Sequence, residues 1–350
     1  MPWVNFMKIK IAYFGRDTDF LNNTGEGIQR YGYELYNNLK ENKNLDINVL
    51  SSKTVYSYVK DSFLNDFGKY DLIHITNFRL LSPKRRSKSV LLITAHDFQP
   101  ILYPEFSYNP NNSSINEKLW FILVKVGLKR ELKVADYLIC NSTQTKDEAI
   151  KLGFDSKKVF ITNLGIDNRF RKPIKNNKNK RNFTVGYLGA MRKRKNLEFA
   201  IKAANIIKNQ NINFYIWGKK EHEYEFIRSI AKNKNIKFKG FAPEEKIVSI
   251  YDSFDAFVFP SYHEGQGLPI LEAQSRELPV IIYKYGKIPK EIRKYCFEAE
   301  SPEHMAQIIE DLKENGYNEK LSKKATEYAR SFTGEKCARE TLEVYKKVLK

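Results

Sequence analysis

Cysteine is scarce. Cys140, Cys296 and Cys337 stand isolated in 350 residues. An odd number at such spacing argues against a disulfide framework or a zinc site, so a reducing, cytoplasmic setting is expected. Long apolar runs are also lacking. No stretch approaches the ~18 residues a membrane-spanning helix requires, and Met1-Pro2-Trp3-Val4-Asn5 does not open like a secretory signal. Acidic residues are few, 41 against 60 basic ones, giving a net charge of +19. That excess suits anionic lipid, nucleic acid or anionic small molecules. No recognised nucleic-acid motif accompanies it.

What is present is concentrated at Pro260 to Ile281, PSYHEGQGLPILEAQSRELPVI. Glu264 and Glu272 are separated by seven residues and bracket the turn Gly265-Gln266-Gly267. Ala256-Phe257-Val258-Phe259 leads in as a short buried parallel strand. Leu268 to Ala273 leads out as a helix with proline near its first position, where a missing N–H costs little. A strand, a glycine turn and a helix N-terminus together favour negative charge, through backbone N–H groups and the helix dipole. Carboxylates, in contrast, accept hydrogen bonds from neutral hydroxyls. A sugar nucleotide, which carries both hydroxyls and phosphate, would use both features. The plainer alternative is a buried strand-turn-helix with two solvated carboxylates.

Alternating segments on either side predict an α/β protein. Strands are expected at Lys8–Gly15, Ile47–Leu50, Asp71–Ile75, Val90–Thr94 and Tyr137–Cys140, with helices at Ile28–Leu39, Ile115–Val134 and Thr145–Leu152. A second series predicts strands at Phe183–Gly189, Asn213–Gly218 and Ile236–Phe241, and Val280–Tyr283 is expected to complete its sheet. Pro302 to Lys350 reads as mostly helical. Strand-helix alternation implies parallel sheets covered on both faces. The expected domains are 1–168 and 183–331, with a polar, lysine-rich linker at 169–182 and a further helical segment at 332–350.

The Pro260 segment resembles the E-x7-E signature of the group 1 (family 4) retaining glycosyltransferases. Pro260, Ser261, Glu264, Gly265, Gly267, Leu268, Pro269, Leu271, Glu272 and Ala273 meet its fixed positions, while Glu277 stands where a glycine is usual. The resemblance implies the GT-B fold, two Rossmann-like domains facing each other across a cleft. It implies a last helix returning to the first domain. It also implies hexosyl transfer from a nucleotide diphosphate sugar to an acceptor hydroxyl, with no metal or cofactor.

Other segments extend the resemblance. Glu26-Gly27-Ile28-Gln29-Arg30-Tyr31 is similar to a glycine-rich G-G-I-G-R-Y loop, which makes Gly27 a donor-binding candidate; a plain helix N-terminus is the alternative. Thr94 to Glu105 resembles the V-H-D-x-x-P-x-x-Y-P-E block of mannosyltransferase-like members, implying that His96 acts at the reacting sugar and tilting the donor towards GDP-mannose. Gly189 to Leu197 corresponds to G-R-x-x-x-x-K, with Lys195 as the lysine. Ala190 stands in the usual arginine position, so Arg194 or Arg192 would supply that charge. Asn141-Ser142-Thr143 and Asn163 to Asp167 resemble structural cleft edges. Asp17-Thr18-Asp19 fits the metal-binding D-x-D of the other, GT-A, fold, a pattern that arises often by chance.

The resulting expectation is a retaining, metal-independent hexosyltransferase. His96 and Glu264 are its catalytic residues, and Gly27, Arg194, Lys195, Gly265, Gln266, Gly267, Leu268 and Glu272 bind the donor. The acceptor is a glycan or a lipid-linked hydroxyl. A different GT-B enzyme (an epimerase or phosphorylase) and a basic nucleic-acid-binding protein are the alternatives. Ile115 to Val134 mixes apolar residues with Lys125, Lys129, Arg130 and Lys133. It either rests on an anionic membrane or turns its apolar residues to the core.

Overall fold

Strands form where short apolar runs are bounded by turns, and their burial explains why those runs barely alternate. Leu72–Ile75 and Ala256–Phe259 are buried at every position, as parallel strands covered on both faces must be. The computed structural model describes residues 8–16, 27–52, 66–76, 88–106, 115–174 and 182–350. The chain forms two units, Met1–Gly165 with Thr333–Lys350, and Ile166–Phe332.

The first unit holds a six-stranded sheet of β1 (Ile9–Arg16), β2 (Leu45–Ser52), β3 (Leu72–Ile75), β4 (Val90–Ala95), β5 (Tyr137–Cys140) and β6 (Val159–Ile161), in the order β2-β1-β3-β4-β5-β6. All pairs are parallel. One face carries Ala12, Phe14, Ile73, Ile75, Ile93 and Leu138 into a core shared with Leu128 and Phe98. On the other face Tyr13 lies opposite His74, and Tyr345 of the Gly334–Val348 helix bonds to both. The closing helix thus belongs to the first unit, where it packs on the Gly27–Leu39 helix. Gly165 shows how tightly the returning chain passes. A Cβ there would lie 2.2 Å from the backbone nitrogen of Gly334, closer than any side chain tolerates.

The second unit holds β7 (Phe183–Leu188), β8 (Ile212–Trp217), β9 (Ile236–Gly240), β10 (Ala256–Phe259), β11 (Val280–Tyr283) and β12 (Phe297–Ala299), in the order β12-β11-β10-β7-β8-β9. Alternation divides β10 between two cores: Ala256 and Val258 pack on one side, Phe257 and Phe259 on the other. Strand order reverses between β7 and β10. The crossovers of these two strands leave in opposite directions, so the loops at their carboxyl ends part and create a crevice.

Two strands lie outside the expected series. The three-residue β6 extends the first sheet, and β12, not β11, completes the second. Such short strands give no periodic signal to read. Overlapping the start of the stretch expected as a linker, Asn168–Arg171 form a 3-10 turn with Phe170 fully buried. Arg276 secures it, gripping Asp252 through two bonds at 2.6 and 2.9 Å while donating to the carbonyls of Phe170 and Lys172. Residues 175–181 of that stretch lie outside the described residues.

Candidate active site

The loops after β7 and β10 carry the expected charged residues, and the fold brings them together. After β7 the chain passes through a 3-10 turn, Lys193–Lys195, and then Asn196 in a left-handed conformation (φ 50°) before the Leu197–Ile206 helix. After β10 the chain runs from Pro260 to Gly267, which caps the Leu268–Ser275 helix at φ 89°. That value lies in the region glycine adopts at little steric cost.

Three bonds pin the loops to each other. Asn196 donates to the carbonyl of Pro260 at 3.0 Å, the amide of Tyr262 to the carbonyl of Arg194 at 2.9 Å, and the Arg194 guanidinium to the carbonyl of His263 at 2.7 Å. Two further backbone bonds hold the segment from behind, Glu264 N–H to Lys287 O and Lys287 N–H to Tyr262 O.

Glu264 lies at the centre. One carboxylate oxygen is 2.8 Å from Lys195 Nζ and the other 3.0 Å from Arg194 Nη1. All three side chains are largely removed from water. Burial opposes ionisation of Glu264, but Arg194 and Lys195 outweigh it and hold the carboxyl down to about 2. Burial also draws the Lys195 ammonium down, against the pull of Glu264, and the ammonium sits 4.9 Å from the centre of the Phe259 ring. Buried pairs of this kind are costly to assemble. Their presence at a sheet's reversal point therefore marks a place built for charge.

Of the two arginines considered for the position Ala190 leaves open, Arg194 joins this cluster, whereas Arg192 pairs with Glu221 at 2.9 Å. Gly265, Gln266 and Gly267 are buried within the turn and Leu268 is half-buried at the start of the helix. Glu272 lies further along the same helix, buried, accepting from the Tyr251 hydroxyl at 3.0 Å. Sequence reading passed over Tyr251, Asn196 as a loop tie and Lys287, because their contacts join segments distant in the chain.

His96 and Gly27 belong to the first unit. His96 follows β4 and is buried. Its Nε2 lies 2.9 Å from the carbonyl of Thr76, which can only accept, so that nitrogen carries the proton. Tyr31, on the helix that Gly27 opens, packs edge-on against the His96 ring at 5.2 Å and bonds Thr94 at 3.1 Å. Thr94 in turn bonds His74 at 2.8 Å, and His74 bonds Tyr345 at 2.7 Å. Asp17, Asp19 and Glu26 lie outside the described residues.

Two parallel α/β sheets, the second with its order reversed at a charged loop pair, define a GT-B type protein. The comparisons agree. Residues 168–332 match the model of glycosyl transferases group 1, and residues 26–170 that of Glycosyltransferase Family 4. The two matches, together with the relatives and solved structures below, support a group 1 glycosyltransferase. It is 23% identical over 302 residues to O-antigen chain mannosyltransferase B of Escherichia coli, covering 81% of this chain and 76% of that protein. It is 24% identical over 253 residues to the D-inositol 3-phosphate glycosyltransferase of Paenarthrobacter aurescens, covering 64% and 60%. Among solved structures, a glycosyltransferase from Rickettsia africae ESF-5 aligns with a TM-score of 0.67 at 17% identity, over 98% of this chain and 99% of that one. Anabaena HepE in complex with UDP and glucose aligns with 0.65 at 16% identity, over 97% and 99%.

Proposed function

We propose that this glycosyltransferase moves a hexose, with retention of anomeric configuration and without a metal ion, from a nucleotide diphosphate sugar to a hydroxyl of a glycan or lipid-linked acceptor. GDP-mannose is the proposed donor. The Glu264–Arg194–Lys195 cluster carries this reading. Two cations on one buried carboxylate leave a net positive charge, which supports a diphosphate ligand held without a metal ion. The resemblance of the His96 block and the mannosyltransferase relative support mannose. The free thiols of Cys140, Cys296 and Cys337 accord with a reducing, cytoplasmic setting.

In the proposed reaction Arg194 and Lys195 hold the diphosphate. The backbone of Gln266 to Leu268 and the dipole of the following helix reinforce them, and Gly27 is a further donor-binding residue. Glu272 accepts from the ribose hydroxyls and Glu264 from sugar hydroxyls. The bond from the anomeric carbon to the departing phosphate oxygen breaks, and the acceptor oxygen forms its bond on the same face. The acceptor's proton passes to the departing phosphate. His96 stabilises the oxocarbenium-like state at the sugar, so catalysis rests on positioning and electrostatics.

Thermal shift against a panel of nucleotide sugars tests the donor, since a ligand at 100 times its Kd adds roughly 2.7 kcal/mol of stability. GDP-mannose is expected to stabilise most. UDP-glucose belongs in the panel because UDP-sugar ligands occupy HepE. If no nucleotide sugar raised the melting temperature, the proposal would fail. Proton NMR of the product linkage reads retention directly.

A further inference from the structure

The Ile115–Val134 helix has two apolar faces and one core to bury them in. Inward, Leu128 is buried and Val124, Leu132 and Val134 pack on the first unit's core. Outward, Leu119, Ile122, Leu123 and Val126 are 56, 56, 45 and 59% exposed. Their spacing of three, four and seven residues makes one continuous stripe. Elsewhere among the described residues, exposed large apolar side chains such as Phe226 and Phe241 stand on separate elements, as on any protein surface. A contiguous apolar stripe marks an interaction site.

Charge identifies the occupant. Beyond Val126 the exposed positions become basic, with Lys129, Arg130 and Lys133, while Lys118 is exposed beside the stripe and Lys125 flanks it. Among the helix's described side chains the acidic one, Glu131, is turned inward and fully buried. The outward surface is therefore apolar over two turns and cationic over the next two, about 20 Å in all. Lysine is depleted from protein–protein interfaces. Apolar residues bordered by lysine and arginine are what an anionic bilayer attracts, through burial in the headgroup region and through surface potential. We infer that this helix docks the first unit on an anionic membrane, with Leu119, Ile122, Leu123 and Val126 entering the headgroup boundary and Lys129, Arg130 and Lys133 meeting lipid phosphates. Docking needs neither donor nor acceptor, so its failure and failure of the sugar chemistry are read separately.

Co-sedimentation of the full chain with phosphatidylcholine vesicles, with and without phosphatidylglycerol, tests the inference. Wild type is expected to bind the anionic vesicles and to release at high salt. Ile122→Ser with Val126→Ser should lower the partition coefficient about tenfold or more, and Lys129→Glu with Lys133→Glu at least about fivefold per residue. Both should melt like wild type because the altered side chains are exposed. Phe241→Ser, in the second unit, should bind like wild type. Equal recovery with neutral and anionic vesicles would overturn the proposal, as would undiminished binding of the Ile122/Val126 variant. Concentration-dependent self-association abolished by that variant, without vesicle binding, would assign the stripe to a second copy of the chain.

Discussion

At the end of β10, Glu264 is held by a lysine and an arginine at 2.8 and 3.0 Å. At the end of β4, His96 is held by a carbonyl, an aromatic edge and a chain of neutral groups, Tyr31, Thr94, His74, Tyr345 and Tyr13. Burial, then the neighbouring His96, pushes His74 down to about 3, so that chain carries no charge at neutral pH. The second unit invests desolvated charge, which suits a partner that brings charge of its own. The first invests neutral hydrogen bonds, which fix orientation without adding charge.

The contrast breaks most sharply at Glu264. Glu264→Ala leaves two buried cations facing each other and is expected to cost about 3–5 kcal/mol in urea unfolding. The pH dependence carries the same signature. The Glu264 carboxyl is depressed in the folded state, so its contribution is full above its ordinary value of 4.5 and is lost as pH falls from there towards about 2. Wild type should therefore lose about 3 kcal/mol more than Glu264→Gln across that window. Equal acid sensitivity of the two proteins would remove the ion cluster as its cause.

His96→Ala tests the other side. It should cut kcat by roughly a hundredfold or more while donor Kd, measured by calorimetry, changes little. If donor affinity fell while kcat held, His96 would serve uniform binding. A smaller effect is expected at Glu272. Replacing it by alanine removes a charged acceptor and should weaken donor binding by about 1.5–3 kcal/mol, and unchanged affinity in a folded variant would take Glu272 out of the site. Smallest is Tyr345→Phe, which removes the hydroxyl bonding His74 and Tyr13 and should cost about 1–2 kcal/mol of stability. It sharpens the contrast if the loss is independent of pH between 5 and 8, as a network with no charge to titrate there requires.

Strands, helices and the E-x7-E turn could be read from the chain because their signals are local: apolar runs, helical spacing, a glycine turn followed by proline. Glu277 shows how far local reading reaches. It stands where a glycine is usual, and its φ of 62° keeps the left-handed backbone that a glycine would adopt more easily. Tertiary structure alone decided the rest. Arg194 and Arg192 lie two residues apart, but only the loop after β10 turns one onto Glu264, while Glu221 takes the other. The Ile115–Val134 helix posed the same difficulty. Periodicity identifies which residues share a face, but coverage depends on what else packs there, and one core can bury only one side of a helix.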